Sequence, residues 1–274
     1  MSSKALKYSD LGQFAQGGIA ALRKVRLEDG TIAVMRSLQK GKLLNFAVRS
    51  RFCAGTLCRY RLSPHPNIVN SFEHGTRWWL PYELIEFVNG VTLRSLLGTR
   101  SQLLKRQPLA LLIQMAQGLS WVHEHGFMHL DVKPENFLVV STPSLLEVKL
   151  TDFDLSRAAD DHGPRRQMGT PGFMAPEQFV GRCAYQASDV FAFGLIAYQM
   201  LCGKTAFTGD TPREMWRHQA SSRINACPIH ELVPSVHPGL EKIIMACLAK
   251  KLSGRPRHMM EVLHALNSLD LKQD

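Results

Sequence analysis

His129-Leu130-Asp131-Val132-Lys133-Pro134-Glu135-Asn136 is the stretch whose reading decides this chain. It follows an amphipathic run from Leu109 to His125 closed by Gly126, and it precedes a short apolar run from Phe137 to Val140. That context makes it a loop between a helix and a strand. The loop offers a carboxylate able to accept a proton, an ammonium able to hold a phosphate, and an amide oxygen able to ligate a hard metal ion. Phosphoryl transfer needs these groups, because it is mostly positioning plus charge neutralisation around the transferring phosphate.

HLDVKPEN resembles the catalytic loop of protein kinases, HRDxKPxN, with Leu130 where most members carry Arg. Further stretches resemble the family's landmarks in the same order. Asp152-Phe153-Asp154 is similar to the DFG triplet, Gly169 to Glu177 to GTxxYMAPE, and Asp189 to Gly194 to DVWSFG. His65-Pro66-Asn67-Ile68-Val69 upstream and Arg255 downstream complete the set. The resemblance runs from about Tyr8 to about Leu266. It implies an α+β, bilobal protein-kinase fold: a small β-rich N-lobe over about 8–88 and a larger, mainly helical C-lobe over about 91–266.

By that resemblance the chain is a Ser/Thr protein kinase-like phosphotransferase that moves the γ-phosphate of ATP to a protein hydroxyl, with magnesium, or alternatively manganese, as the metal. Asp131 would be the catalytic base, Lys133 would contact the transferring phosphate, and the Thr170 hydroxyl would bridge the two. Asn136 and Asp152 would ligate the metal. The strand Leu146 to Leu150 delivers Asp152 at its end, a sound place for a hard oxygen beside phosphate. Gly17, Gly18, Leu22, Val34, Arg36, Ile85, Glu86 and Val88 would form the nucleotide site, Ile85 behind adenine and the Glu86 to Val88 backbone at its edge. Lys133-Pro134-Glu135 and Thr170 accompany Ser/Thr substrates in the family. The Glu177 and Arg255 pair would secure the activation segment, and Asp189 would brace the catalytic loop. His129 would be a packing residue.

The nucleotide-anchoring motifs depart from the family. The glycine-rich loop GxGxxG aligns with Ala15-Gln16-Gly17-Gly18-Ile19-Ala20, keeping only the middle glycine. The VAIK strand aligns Arg36 with the phosphate-holding Lys and Val34 with the Ala on adenine, and period two puts both on one face. Arg brings the charge but a broader, planar fork. Lys24 is a minor substitute. The family's next helix, αC, lies around Leu43 to Leu62, and Gly55 falls where its pairing Glu belongs. No Asp or Glu occurs between Asp29 and Glu73, so this helix cannot supply the Lys–Glu pair. A mid-helix Gly costs about 1 kcal/mol relative to Ala, which suggests a mobile helix or one awaiting a partner. Asp154 replaces the Gly of DFG at a cost in backbone strain and adds a second carboxylate. Leu130 cannot clamp a phosphate, and no Ser, Thr or Tyr lies between Ser156 and Met168 for such a clamp to hold. Transfer that is weak or partner-dependent is therefore the first expectation. The alternative is a pseudokinase, a binding or scaffold module that keeps the fold.

The composition agrees with one folded bilobal unit: 274 residues, 45% hydrophobic. Six cysteines without CxxC spacing read as reduced thiols of a cytoplasmic protein. MSSKALKYSD has no apolar core for a signal peptide, and the longest apolar run, Val190 to Cys202, is too short to span a bilayer. The net charge of +10 concentrates in the αC region, where Arg36, Lys40, Lys42, Arg49, Arg51, Arg59 and Arg61 meet no acid between Gly30 and Phe72. A solvated helix face is the common reason for such a field, and docking of an acidic protein substrate or regulatory partner the functional one. Nucleic-acid binding is the weak alternative, since no zinc-finger or RNP signature accompanies the charge. His123, His125 and His129 fit a helix end better than a zinc site, whose other ligands are absent.

Overall fold

Alternating strands separated by tight turns build the first third of the chain into an antiparallel sheet. The computed structural model describes residues 6–143, 145–161, 163 and 169–269. Strands β1 (Tyr8–Gln16), β2 (Ala20–Leu27), β3 (Ile32–Leu38), β4 (Ser71–Arg77) and β5 (Leu80–Glu86) lie in the order β1-β2-β3-β5-β4. Gly17 and Gly18 make the first turn, where the Gly17 amide donates to the Ala20 carbonyl at 2.9 Å. Val34, Arg36 and Leu38 share the buried face of β3, as period two requires. The β3–β5 register sets Val34 opposite Ile85 and Arg36 opposite Glu83.

Asn67 and Val69 pair with Leu150 of the other lobe, so β4 starts only at Ser71. Strand β5 starts at Leu80. Trp78 and Trp79 take left-handed angles, φ 51° and 67°, and form the two-residue turn of the β4–β5 hairpin. Helix α1 (Phe46–Leu62) crosses between β3 and β4, capped by the Asn45 side chain, which accepts from the Val48 amide at 3.2 Å. It begins three residues after Leu43, the expected start.

The remainder is mainly helical. After β6 (Val91–Thr92) come α2 (Leu93–Gly98), α3 (Gln102–Arg106) and α4 (Pro108–Glu124), then β7 (Phe127–Met128), β8 (Phe137–Thr142), β9 (Leu145–Leu150) and β10 (Arg157–Ala158). Helices α5 (Pro176–Val180), α6 (Gln186–Cys202), α7 (Pro212–Ala220), α8 (Ile229–Leu232), α9 (Pro238–Cys247) and α10 (Met259–Asn267) follow. The main core forms where Leu111, Leu112, Met115 and Leu119 of α4 meet Phe191, Phe193 and Ile196 of α6. Proline at the first turn of α4, α7 and α9 starts each helix where a missing amide costs nothing. The architecture is the expected bilobal α+β one.

All six cysteines are free, and burial pushes Cys58 and Cys247 up to about 12, where both are inert thiols. Among the described residues no helix is long and apolar enough to cross a membrane. The signal-peptide reading of residues 1–5, and the part of the activation-segment reading on residues 162 and 164–168, lie outside the described residues.

Candidate active site

A cavity of about 590 Å³ opens between the two lobes, a size typical of small-molecule sites. Leu22, Val34, Val69, Ile85 and Leu138 form its apolar wall, a cluster drawn from both lobes. Phe87 to Gly90 edge it, and Gly17 and Gly18 close it from above. Every residue expected to contact nucleotide, from Gly17 to Val88, thus lines one cavity. The Glu86 carboxylate is turned to Lys149 at 3.0 Å.

At the far end the catalytic-loop residues form one hydrogen-bonded group. Lys133 Nζ donates to Asp131 Oδ2 at 2.6 Å and to Thr170 Oγ1 at 3.2 Å. Thr170 Oγ1 in turn donates to Asp131 Oδ1 at 2.7 Å. Asn136 Nδ2 donates to the Asp131 carbonyl at 2.8 Å and to Oδ2 at 3.1 Å, which leaves its oxygen as the free hard donor. The loop is set from below by Asp189 of α6, whose carboxylate accepts from the amides of His129 (2.7 Å) and Leu130 (2.8 Å). That bracing absorbs the left-handed φ of Leu130, 63°. Leu130 itself packs with Met128, Ala184, Leu155 and Met174, so apolar contact stands where an Arg clamp would be. Glu177 and Arg255 pair at 2.9 Å behind the segment, as expected.

The His123 ring also serves Asp189, at 2.9 Å, and accepts from the Met259 amide, so it joins this bracing and not a metal site. His129 is fully buried edge-on to Phe153, ring centres 5.0 Å apart, and burial holds its pKa down. Among the described residues no cluster of three His, Cys, Asp or Glu side chains could hold a metal ion by itself. Magnesium does not require one, since it is bound through one or two protein oxygens plus phosphates and water. Asp152 Oδ1 is buried and accepts no hydrogen bond, with Arg36 3.9 Å away. Such an oxygen, lining the same cavity as Asn136, fits a hard divalent cation. Burial pushes Asp152 up, but Arg36 and then Arg59 outweigh it and hold the group below the usual carboxylate range.

The anchoring motifs depart from expectation in four ways. Lys24 does not substitute for the missing lysine: its ammonium sits 4.0 Å over the Phe87 ring. The strain assigned to Asp154 falls on Asp152, whose φ is 62°. Asp154 instead binds the Arg36 guanidinium, and burial pushes its pKa up to about 6 against that pull. Gly55 has a packing role that its propensity cost does not show. A Cβ there would lie 2.8 Å from the Phe153 carbonyl carbon and oxygen, so the glycine lets the Phe153-Asp154 backbone rest directly on α1. Finally, Arg36 is paired after all, by Glu83 of β5 at 2.9 Å, and Glu83 also holds Arg59 of α1 at 3.0 Å. Burial opposes the charge on Arg36, yet Asp154 and Glu83 raise its pKa further. Sequence reasoning missed Glu83 and Arg59, although period two places Glu83 on the same face of β5 as Ile85.

Comparison with known proteins matches this architecture. The family described as protein kinase domain matches residues 8–266. Over 197 residues, 70% of this chain, the sequence is 34% identical to serine/threonine-protein kinase Pkn1 of Myxococcus xanthus, and it covers 28% of that protein. Over 201 residues it is 31% identical to serine/threonine-protein kinase PknB of Mycobacterium tuberculosis, 70% of this chain and 31% of the relative. The chain thus spans about three tenths of the length of these curated relatives. Kinases of this family use ATP and magnesium and act on protein substrates. With the domain matched from Tyr8 to Leu266, and the cleft and catalytic loop where that domain carries them, the chain belongs to the protein kinase domain family.

Proposed function

We propose that this chain transfers the γ-phosphate of ATP to Ser or Thr hydroxyls of protein substrates. The observation that carries the proposal is the Asp131, Lys133, Thr170 and Asn136 group, assembled at the end of an apolar cavity with Asp152 beside it. Leu22, Val34 and Ile85 would hold the adenine, and the Phe87 to Gly90 edge would fix its orientation. Asn136 and Asp152 would hold magnesium, which when bound neutralises phosphate charge and orients the phosphates. Asp131 accepts the proton of the substrate hydroxyl as the new oxygen–phosphorus bond forms and the bond to the ADP oxygen breaks. Lys133 offsets charge on the transferring group, and Thr170 keeps Asp131 and Lys133 in one geometry. The basic residues of α1 that reach solvent, Arg61 exposed and Arg49 half-buried, offer a docking face for acidic partners.

One observation favours a second reading. Arg36, the anchoring cation, is engaged by Asp154 and Glu83 inside the protein, so its pairing with phosphate requires Asp154 to yield. A pseudokinase that binds partners without transfer is consistent with that engagement. Incubation with γ-labelled ATP, magnesium and peptides bearing Ser, Thr or Tyr separates the two. Label on Ser and Thr but not Tyr is expected for the enzyme, and no label on any peptide supports the binding module.

A further inference from the structure

The carboxylate expected on α1 is absent, and its position is physically closed, since Gly55 touches the backbone of Phe153 and Asp154. The negative charge enters from β5 instead. Glu83 is 0% exposed, and its Oε1 lies 2.9 Å from Arg36 Nη1 and 3.0 Å from Arg59 Nη1. One cation comes from β3 and the other from α1, so a single carboxylate ties helix to sheet. Arg36 and Glu83 are also directly opposed across the strand pair, the arrangement in which opposite charges attract most. The guanidinium of Arg36 lies over the Phe52 ring, 4.6 Å from its centre, and its other terminal nitrogen, Nη2, binds Asp154.

The charges close. Arg36 and Arg59 contribute two positive charges, and Glu83 and Asp154 two negative ones, so the four cancel, and Asp152, 3.9 Å from Arg36, brings the group to one net negative charge at the metal position. One lysine, one helix glutamate and one aspartate would leave the same remainder. The two unexpected residues, Arg59 and Asp154, therefore offset each other. Buried ions that were not matched in this way would strongly disfavour folding.

We propose that Glu83 is the positioning residue of this site, holding the Arg36 guanidinium at the phosphate end of the cleft and locking α1 to the sheet through Arg59. The assignment rests on the reading of the cleft as an ATP site. Its test is the affinity of the full chain for two probes, magnesium-ATP and adenosine, which lacks phosphate. Glu83→Gln is expected to weaken magnesium-ATP on the order of tenfold to a hundredfold, the worth of a charge-assisted contact, while adenosine stays within about twofold. Glu83→Asp should recover part of the loss. If Glu83→Gln does not fold, Glu83→Gln combined with Arg59→Met removes one stranded charge and carries the measurement, with thermal stability regained and the ATP deficit kept.

Equal weakening of both probes, or of neither, overturns the assignment, as does a wild type that binds neither. An ATP-over-adenosine preference that depends on Glu83, in a wild type that transfers no phosphate, sinks the transfer reading and keeps Glu83. Transfer by the wild type with no such dependence sinks Glu83 alone.

Discussion

Replacing a mid-helix glycine by alanine normally stabilises a helix by about 1 kcal/mol. Gly55→Ala in α1 should do the opposite. Its Cβ would stand 2.8 Å from the carbonyl carbon and oxygen of Phe153 and 2.9 Å from the Asp154 Cα. Carbon atoms rest at about 3.5–4.0 Å, so something must move by roughly 1 Å. All three atoms belong to backbone, so no rotamer change relieves the clash. Overpacking of this kind costs about 1–3 kcal/mol. After the helix-propensity gain, a net loss of about 1 kcal/mol remains.

The displacement falls on the segment that carries Asp152, and an error of about 1 Å in a reacting site can cost about a hundredfold. Urea denaturation should therefore show the modest destabilisation, and magnesium-ATP affinity and transfer should fall by more than it implies. Gly55→Glu should fare worse, although it restores the residue type that family members carry there. A Gly55→Ala protein about 1 kcal/mol more stable than wild type, with undiminished ATP affinity, would refute the reasoning.

Two further outcomes test the frame around the site. Glu177→Gln leaves the Arg255 side chain, 0% exposed, without its countercharge and should cost about 3 kcal/mol in urea denaturation; a loss under about 0.5 kcal/mol would show the pair to be dispensable. Lys250 is pushed down to about 7 by burial and then by Arg255, from 10.5 when exposed. The unfolded chain therefore binds the extra proton between those values, and stability should rise as pH goes from about 7 towards 10. The His218 and Gln219 carbonyls and the Phe207 ring favour the charged form and shallow the slope. Lys250→Met should remove this slope, and an identical pH profile in the variant would contradict the assignment.

The parts of the site that could be read from the sequence are those whose chemistry is contiguous. Asp131, Lys133 and Asn136 lie within one loop, so their grouping follows from residue order. Leu22, Val34 and Ile85 are strand residues whose face follows from alternation once the strands are placed. Glu83 escaped because its meaning depends on register: only the pairing of β3 with β5 sets it opposite Arg36, and only the packing of α1 brings Arg59 to the same oxygen. The sign that was available was a glutamate two residues before Ile85, on the face that must be buried. The packing role of Gly55 escaped for a related reason. Its propensity cost is local, but its benefit is a close approach to a backbone almost a hundred residues later, which no local pattern records.

The most direct test of the central claim is single-turnover transfer of labelled γ-phosphate to a Ser/Thr acceptor by wild type and Asp131→Asn, with magnesium-ATP affinity measured on both. Asn keeps the shape and accepts hydrogen bonds but cannot take the hydroxyl proton. Transfer by the wild type that falls by at least about a hundredfold in the variant, with affinity held within about twofold, is the predicted result. Equal transfer by the two proteins, or none by either, would contradict the account of Asp131 as the catalytic base of an active kinase.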